Sequence, residues 1–393
     1  INIFYIQYST PKYDLSIGNL YLLYGRGLSM NTFEDQGIDY DNSIKGIDFT
    51  YYLNNKITLQ TSFGKTNVKS RTNPADLIPT LSIENKVATF GGVLSLDNLN
   101  MHYYSIGYKQ AYDYNDINSL LNLTNLLGQY MNSRSDYFLS DKPSYSMNNF
   151  EHNLGLEFTF GTVDFYIETS KVYYNKIAGN REEGYKNYFS TYTNLYNFDL
   201  SFEFKDYNTP YLYNTFSTPP IAFRETTSVL SSRNLHTIDF SNEYGYLLEL
   251  NRTFENSLNL LLSYSFALHH QEGVSDYNIF SSDDILDFSE YWPYKQFYIE
   301  FSNWSLDGKS YYRLGYDYYH EVTDLKTILA KTIPMQFAYN FKTGNSLTLY
   351  FEIQDKIDEV TSKENKYMYF TPTYNHFGKW TLSLFLDYEE DDE

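Results

Sequence analysis

The sequence predicts an all-β fold, a transmembrane antiparallel β-barrel of roughly 14 to 20 strands, most simply about 18. Three observations favour this class. Apolar and polar residues alternate along most of the chain, short turns alternate with long polar connections, and the 393 residues include 44 Tyr and 29 Phe. An alternation with a period of two gives each strand one apolar face and one polar face.

Alternation of apolar and polar residues is clearest at residues 154–160 and 196–204, where Leu, Phe or Tyr occupies every second position. The same pattern predicts strands at residues 57–63, 163–167, 258–268, 297–301, 312–318, 333–341, 347–353 and 380–388. Many of these runs have the length of about 9 to 11 residues that a tilted bilayer-spanning strand needs. The alternative is a large soluble solenoid or sandwich, which would place charges rather than Phe and Leu on one face of each strand.

The connections fall into two populations. Short polar turns are predicted around Asn256 and at Asn54-Asn55, Asp97-Asn98, Gly161-Thr162, Asp307-Gly308, Gly344-Asn345 and Gly378-Lys379. Longer polar stretches cover residues 25–43, 66–82, 110–149, 174–183, 209–235 and 271–292. In an outer-membrane barrel the short turns are periplasmic and the long loops extracellular, so we expect the bacterial outer membrane as the location.

Residues 1–393 are expected to form a single barrel domain. If a short turn follows every odd strand, both chain ends fall on the long-loop side, whereas barrels normally end at the periplasmic side. We therefore expect at least one closing strand at each end to be absent from these residues, or the strand register to be off by one.

The two faces of the predicted strands carry different chemistry. One face is Leu, Phe, Ile and Tyr and is expected to contact lipid, because hydrocarbon cannot solvate polar groups. The opposite face supplies the candidates for lining a lumen: Glu157, Asp164, Glu168, Asp199, Glu203, Glu300, Arg313, Asp317 and Glu352. These carboxylates either line a water-filled pore that favours cations or pair with Lys and Arg and keep a plugged interior hydrated.

The abundant Tyr is expected mostly in girdles at the two membrane interfaces, with rings in the apolar zone and hydroxyls among headgroups. Stacking platforms for sugars or bases are the alternative. Within residues 110–149, Ile117, Leu120, Leu121 and Leu127 recur mostly at three to four residues and predict an amphipathic helix. This helix would narrow the pore, dock a partner, or cover the core of its own loop.

Composition excludes several classes of function. A net charge of −20 argues against nucleic-acid binding, and a chain without Cys has no disulfide, thiolate metal site or Cys nucleophile. No sequence motif of a catalytic site is present, so we expect no enzyme activity and no catalytic residues. The adjacent pair His269-His270 is a poor metal site, because neighbouring strand residues point to opposite faces.

No cofactor is expected, although three acidic loop clusters supply oxygens suited to Ca²⁺. Simple solvation of these loops is the alternative. The clusters are Asp39, Asp41 and Asn42; Asp113, Asn115 and Asp116; and Asp283, Asp284 and Asp287.

A set of short motifs carries a resemblance to a known family. The motifs are Gly18-Asn19, Gly25-Arg26-Gly27, Asp41-Asn42, Gly46, Gly64-Lys65 and Pro219-Pro220. Together they resemble an uncharacterised, porin-like outer-membrane barrel family of diderm bacteria, a domain of unknown function. The resemblance implies the location and the barrel, with further strands before Gly18 and after the last hairpin, but no substrate. Gly25 and Gly27 permit a positive φ or a close backbone approach, and Arg26 is expected to pair with a carboxylate.

Two functions follow from this sequence. The first is a porin-like channel for small hydrophilic solutes with a polar, acidic lumen. The alternative is a structural or docking barrel subunit of a larger outer-membrane complex for secretion, assembly or surface display. The expected partners are the lipid bilayer with lipopolysaccharide, the solutes, and envelope proteins in the second case; no nucleic acid is expected.

Overall fold

The structure, a computed structural model, describes residues 4–35, 40–69, 82–113, 144–175, 181–209, 216–217, 219–234, 236, 238, 242–270, 293–322, 327–359 and 361–391. Nineteen strands form one antiparallel sheet in which strands that follow one another along the chain are hydrogen-bonded neighbours. The number lies within the predicted range. The sheet is therefore a meander, the arrangement that short hairpin turns produce.

The strands have the following bounds. The sheet begins with β1 (Tyr5–Ser9) and β2 (Tyr13–Leu20), and two small hairpins outside it follow, β3 (Leu23–Tyr24) with β4 (Met30–Asn31) and β5 (Glu34–Asp35) with β6 (Tyr40–Asp41). The sheet continues through β7 (Ile44–Tyr52), β8 (Ile57–Lys69), β9 (Ser82–Leu96), β10 (Leu99–Asp113), β11 (Ser144–Phe160), β12 (Val163–Asn175), β13 (Arg181–Leu195) and β14 (Phe198–Asn208).

After β14 comes a four-residue helix, α1 (Val229–Ser232). The sheet then resumes with β15 (Asn242–Thr253), β16 (Leu258–His269), β17 (Tyr294–Trp304), β18 (Ser310–Val322), β19 (Thr327–Asn340), β20 (Ser346–Asp358) and β21 (Lys363–His376). Its last two strands, β22 (Trp380–Ser383) and β23 (Leu386–Asp391), both pair with β21. They are two parts of one strand path, which a two-residue interruption divides.

The connections divide as the sequence predicts. Because the strands alternate in direction, every second connection lies at the same end of the sheet. At one end, which we call the turn end, all connections have two to five residues. The other end, the loop end, carries all the longer connections, together with short ones at residues 176–180, 323–326 and 359–362. The strands are longer than predicted. β10 continues to Asp113 and β11 begins at Ser144 with 17 residues, so the predicted polar stretch 110–149 was too wide. The predicted helix with Ile117, Leu120, Leu121 and Leu127 lies outside the described residues.

The predicted start of the strand at residues 196–204 was wrong. Residues 196–204 were predicted to be continuous, but Tyr196 and Asn197 form the turn between β13 and β14, with φ values of 52° and 64°. Two consecutive positive φ angles are typical of the tight hairpin turn that usually carries Asn-Gly or Asp-Gly. Because Tyr in the first position continues the apolar alternation, the pattern does not indicate a turn there.

The two sheet faces differ in what they bury. Phe63, Phe90 and Phe150 on the apolar face are 57%, 61% and 50% exposed. On the opposite face, which we call the polar face, Glu168 and Lys186 are buried. Soluble proteins bury apolar side chains and leave most charged ones exposed. On this sheet, apolar side chains are exposed on one face and charged side chains are buried on the other.

The edges of the sheet are β1 on one side and β22 with β23 on the other. Each of these strands pairs with a single neighbour, and no pairing between the two edges is present within the residues that the structure describes. All five residues of β1 are exposed. In the described part of the chain, no helix has the length and apolar character needed to cross a membrane.

Gly46 allows β7 and β8 to approach closely. A Cβ on Gly46 would lie 2.0 Å from the Phe63 carbonyl oxygen, whereas a Cβ on Gly107 would meet nothing nearer than 3.4 Å. We therefore expect Gly46→Ala to lower the free energy of unfolding by about 1–3 kcal/mol, because the strands must separate. Gly107→Ala is the matched control and should change it little. Urea unfolding followed by Trp fluorescence measures both, and equal midpoints for the two variants would contradict this packing.

Candidate functional site

Two connecting segments at the loop end fold onto the polar face. Segment A comprises the described residues 21–35 and 40–43, between β2 and β7. Segment B comprises residues 216–217, 219–234, 236 and 238, between β14 and β15. The two segments touch where the Asn31 amide donates to the Phe216 carbonyl at 2.5 Å. They contain three of the six motifs that carry the family resemblance, namely Gly25-Arg26-Gly27, Asp41-Asn42 and Pro219-Pro220.

Segment A is organised by the β3–β4 hairpin. Gly25 and Gly27 have φ values of 57° and 85°, so the expected positive φ is confirmed at both glycines. Beside them, the Tyr24 ring stacks on Tyr104 of β10 with centroids 3.8 Å apart, and its hydroxyl lies 2.6 Å from Thr89 Oγ1 on β9. Burial raises the pKa of Tyr24 to about 12, so this residue is a neutral hydrogen-bonding group at physiological pH.

The Gly25-Arg26-Gly27 motif closes on Glu168 of β12. The Arg26 backbone amide donates to Glu168 Oε2 at 2.9 Å, and Tyr166 and Asn153 donate to the same carboxylate at 2.5 and 2.8 Å. A Cβ on Gly25 would lie 2.5 Å from Glu168 Oε1. Glycine at this position is therefore required by the approach of the backbone to a buried carboxylate.

The Arg26 side chain makes different contacts from those expected. Its guanidinium donates to Ser190 Oγ at 2.8 Å and lies 4.2 Å from the Tyr166 ring centroid. The predicted pairing with a carboxylate is made by the Arg26 backbone, and the charged group itself binds a hydroxyl and an aromatic face. An exposed guanidinium over a Tyr ring is stabilised by a cation–π interaction of about 0.5–1 kcal/mol.

A buried ion pair holds the tip of segment A. Lys186 on β13 lies 2.9 Å from Glu151 Oε1 on β11 and donates to the Leu28 carbonyl at 2.6 Å. Ser217 of segment B also donates to the Leu28 carbonyl at 2.6 Å and accepts from Lys186 at 3.1 Å. One lysine thus joins the sheet to both segments.

Segment B is anchored through Glu352 of β20. Its two carboxylate oxygens accept from the backbone amides of Val229 and Leu230 at 2.7 and 2.6 Å. Ser228 is the N-cap of α1, and its side chain accepts from the Ser231 amide. Beyond the helix, Arg233 forms an ion pair with Asp387 of β23.

A second anchor of segment B is His236. Its Nδ1 lies 2.8 Å from Glu321 on β18, its Nε2 lies 3.2 Å from Glu243 on β15, and its ring stacks on Tyr294 with centroids 4.0 Å apart. Burial alone would lower the pKa of this imidazole, but the two carboxylates more than offset burial and raise the pKa of His236. Lys205 of β14 forms an ion pair with Glu243.

All nine candidates for lining a lumen lie on the polar face. Glu168, Asp317 and Glu352 are buried beneath the two segments or neighbouring strands. The other six are exposed or half-buried and lie nearer the turn end: Glu157, Asp164, Asp199, Glu203, Glu300 and Arg313. That this face lines a lumen stays a prediction.

Several residues of the site were not among the candidates. They are Glu151, Lys186, Glu243, Glu321 and His236. Glu243 and Glu321 lie in strands where Tyr and Leu occupy both faces, so the alternation does not show which residues of these strands belong to the polar face. Lys186 follows the period of two and was detectable as an inward position, but its contact with Leu28 depends on segment A.

The remaining motif residues have structural roles. Asn19 donates to Ser43 Oγ at 3.0 Å, and Asn42 accepts from the Phe33 amide at 2.6 Å, while Asp41 accepts from the Ser43 amide. His269 and His270 contact acidic residues on different faces of the sheet, Glu243 and Asp206. Within the part of the chain that is described, no group of three acidic or His side chains is arranged to hold a metal ion.

Asp39, Asn115, Asp116, Asp283, Asp284 and Asp287 lie outside the described residues. Binding of Ca²⁺ by the acidic loops therefore stays untested.

The buried ion pair between Lys186 and Glu151 is expected to stabilise the folded protein. Lys186→Met leaves the Glu151 charge buried without its cation, which typically costs about 3–5 kcal/mol. The double variant Lys186→Met/Glu151→Gln should recover part of that loss. Lys171→Met is the matched control, because Lys171 and Glu183 on the neighbouring strands form an exposed pair at 2.7 Å, and exposed pairs contribute little. Urea midpoints that fall equally for Lys186→Met and Lys171→Met would count against the buried pair.

Because His236 is charged when it binds its two carboxylates, the contact of segment B with the sheet is expected to depend on pH. Because the folded pKa is raised above the unfolded value of about 6.5, its contribution is fully present below that value and is lost as pH rises through the folded pKa. We expect hydrogen exchange of the amides of residues 229–234 to accelerate over that range, beyond its intrinsic base catalysis. His236→Gln should remove this added dependence and the control His376→Gln should retain it. Identical profiles in all three proteins would reject the assignment.

Comparisons with known proteins place the chain in a family. A solved structure titled "Copper transporter OprC" matches with 8% sequence identity and a TM-score of 0.39, covering 94% of this chain and 61% of that one. This chain thus spans less than two thirds of the length of that transporter. A search of curated proteins found no match. The model of a family of unknown function, DUF6029, matches residues 1–393. The chain therefore belongs to the family of unknown function DUF6029.

Proposed function

We propose that this protein is an outer-membrane β-barrel that passes small hydrophilic solutes, with segments A and B restricting its polar interior. The observation that supports this most directly is the reach of the two segments. Each of them contacts polar-face side chains on strands that are far apart in the sheet. A sheet curved around its polar face accounts for these contacts.

The reach of segment B can be compared with the width of a flat sheet. Pro220 accepts from Tyr207 on β14, and Arg233 pairs with Asp387 on β23. Eight strand spacings separate β14 from β23, about 38 Å at 4.8 Å each. The chain from residue 220 to 233, part of it helical, spans about 35 Å even if straight. After Arg233 it turns back, because His236, only three residues later, lies between Glu321 on β18 and Glu243 on β15, so a flat sheet is disfavoured.

Segment A supports the same curvature. Tyr24 reaches Thr89 on β9, and Arg26, two residues later, reaches Ser190 on β13. Two residues of backbone span about 7 Å, so even with the length of the two side chains they only just cover four strand spacings of about 19 Å. An antiparallel meander with this many strands that curves around one face leads naturally to a closed barrel, which removes its edges.

The apolar face supports insertion into a bilayer. Exposed Leu, Ile, Phe and Tyr occur on strands along the whole width of the sheet, including Ile47, Phe90, Leu154, Phe301 and Leu386. A soluble monomer rarely exposes a continuous apolar surface of this extent. Lipid on this side and water on the polar side satisfy both faces.

The open part of the polar face is acidic. Glu203 accepts from the Tyr188 hydroxyl at 2.8 Å, Asp48 from Ser62 at 2.5 Å and Asp199 from Tyr192 at 2.8 Å. In the described part of the chain, no Lys or Arg forms an ion pair with Asp48, Asp199 or Glu203. Neutral donors hold these carboxylates in place without cancelling their charge, so the open part attracts cations.

A docking role is the second candidate. Segments A and B bury charges such as Lys186 and Glu352 beneath them, which gives a firmly closed interior at the loop end. A barrel that is permanently closed in this way is suited to supporting an assembly of envelope proteins. The same bilayer experiment separates the two functions.

Planar bilayers test the channel. The full chain should give a small conductance with a reversal potential that favours K⁺ over Cl⁻ in a KCl gradient. Replacing residues 23–31 by a short Gly-Ser link should increase the conductance severalfold, because the hairpin of segment A and its contacts with β9, β12 and β13 are lost. Replacing the turn at residues 305–309 by a Gly-Ser link of equal length is the control. If neither the native chain nor the hairpin variant conducts, the channel is rejected and the docking role is favoured.

A further inference from the structure

We propose that a cavity between segment A and strands β9 to β12 binds a small zwitterion, such as an amino acid or a short peptide. The proposal rests on the proposed function, because it names the class of solute that enters the polar interior. The cavity has a volume of about 510 Å³ and opens to solvent. Its lining includes Arg26 and Glu157, which carry opposite charges.

The positive group is held in a fixed position. The Arg26 backbone amide binds Glu168, and the guanidinium uses its Nη1 to bind the hydroxyls of Ser190 and Tyr188 at 2.8 and 3.3 Å. The Tyr166 ring lies beneath it. These contacts use one nitrogen of the guanidinium, and its fork geometry can present further N–H donors to a carboxylate.

The negative group lies beside the same ring. Glu157 on β11 is the direct cross-strand partner of Tyr166 on β12, and its side chain is exposed at the cavity. Within the described residues Glu157 and Arg26 form no ion pair, although both line this cavity. The two charges therefore remain available to a ligand that presents an ammonium to Glu157 and a carboxylate to Arg26.

The other side chains that line the cavity are held in place by contacts with neighbouring residues. Tyr104 is stacked on Tyr24, and His102 Nε2 lies 3.0 Å from Asn153 Oδ1. Leu23, which is 61% exposed, supplies an apolar wall. Side chains fixed in this way need little ordering when a ligand binds, which favours affinity. The apolar wall and the Tyr rings suit the side chain of a small peptide.

The charge balance favours a zwitterion over a simple ion. One guanidinium and one carboxylate give the lining no net charge from these two residues. An anion would meet the carboxylate of Glu157 without compensation, and a cation would meet the guanidinium of Arg26. A ligand with both charges gains from each group, and each exposed pair contributes modestly, so its preference over a singly charged analogue is expected to be roughly two- to fivefold.

Titration calorimetry on the full chain in detergent micelles tests the proposal. The probes are dialanine, N-acetyl-dialanine, which keeps only the carboxylate, and dialanine amide, which keeps only the ammonium. We expect dialanine to bind roughly two- to fivefold more tightly than either blocked form. Glu157→Gln should bring dialanine and N-acetyl-dialanine to equal affinity, and Arg26→Gln should do the same for dialanine and dialanine amide.

Glu300→Gln is the control, because Glu300 lies on the polar face of β17 but does not line this cavity. It should leave all three affinities unchanged. Equal binding of the three probes to the native chain, or no binding of dialanine, overturns the proposal. Circular dichroism and urea midpoints confirm that each variant is folded. Dialanine binding without conductance supports the site while rejecting the channel, and conductance without dialanine binding rejects the site alone.

Discussion

The structure depends on providing hydrogen-bond donors to carboxylates that are buried on the polar face. Glu168 accepts from the Arg26 backbone, and Glu352 accepts from the backbone of Val229 and Leu230. A buried carboxylate without such donors would be strongly destabilising, since the effective cost of removing it from water is several kcal/mol. For Glu168, segment A adds a backbone donor to those that Tyr166 and Asn153 of the sheet supply. For Glu352, segment B supplies two backbone donors. The segments thus complete the hydrogen bonding of carboxylates that they also bury.

Two glycines of the family motif lie where the backbone closely approaches another group. At Gly25 the backbone lies too close to Glu168 for a side chain, and at Gly46 it lies against the backbone of β8. Gly25 thus sets how segment A docks on the sheet, and Gly46 sets how closely β7 and β8 approach. Arg26 differs from these glycines, because its backbone serves that geometry while its guanidinium lines the cavity.

Much of the fold was predictable because it follows from a local rule. Alternation with a period of two fixed most strands and the polar face, and turn chemistry located hairpins such as Gly161-Thr162. The turn at Tyr196-Asn197 escaped, because Tyr there continues the apolar pattern. The site was less predictable. Glu168 and Glu352 were assigned to the polar face, but their burial under segments A and B depends on contacts between residues more than 100 positions apart, which alternation does not encode.

The positions of the charges bear on how the proposed channel would pass a solute. Lys186 joins both segments to the sheet, with Leu28 and Ser217 sharing its contacts, so segments A and B are held together near the loop end. The cavity at Arg26 and Glu157 lies on the far side of the segment A hairpin and opens to solvent. A solute in this cavity is adjacent to the groups that hold Arg26 in place. In the proposed channel, passage would require segment A to move, and Glu168, which binds the Arg26 backbone, would connect a bound solute with that movement.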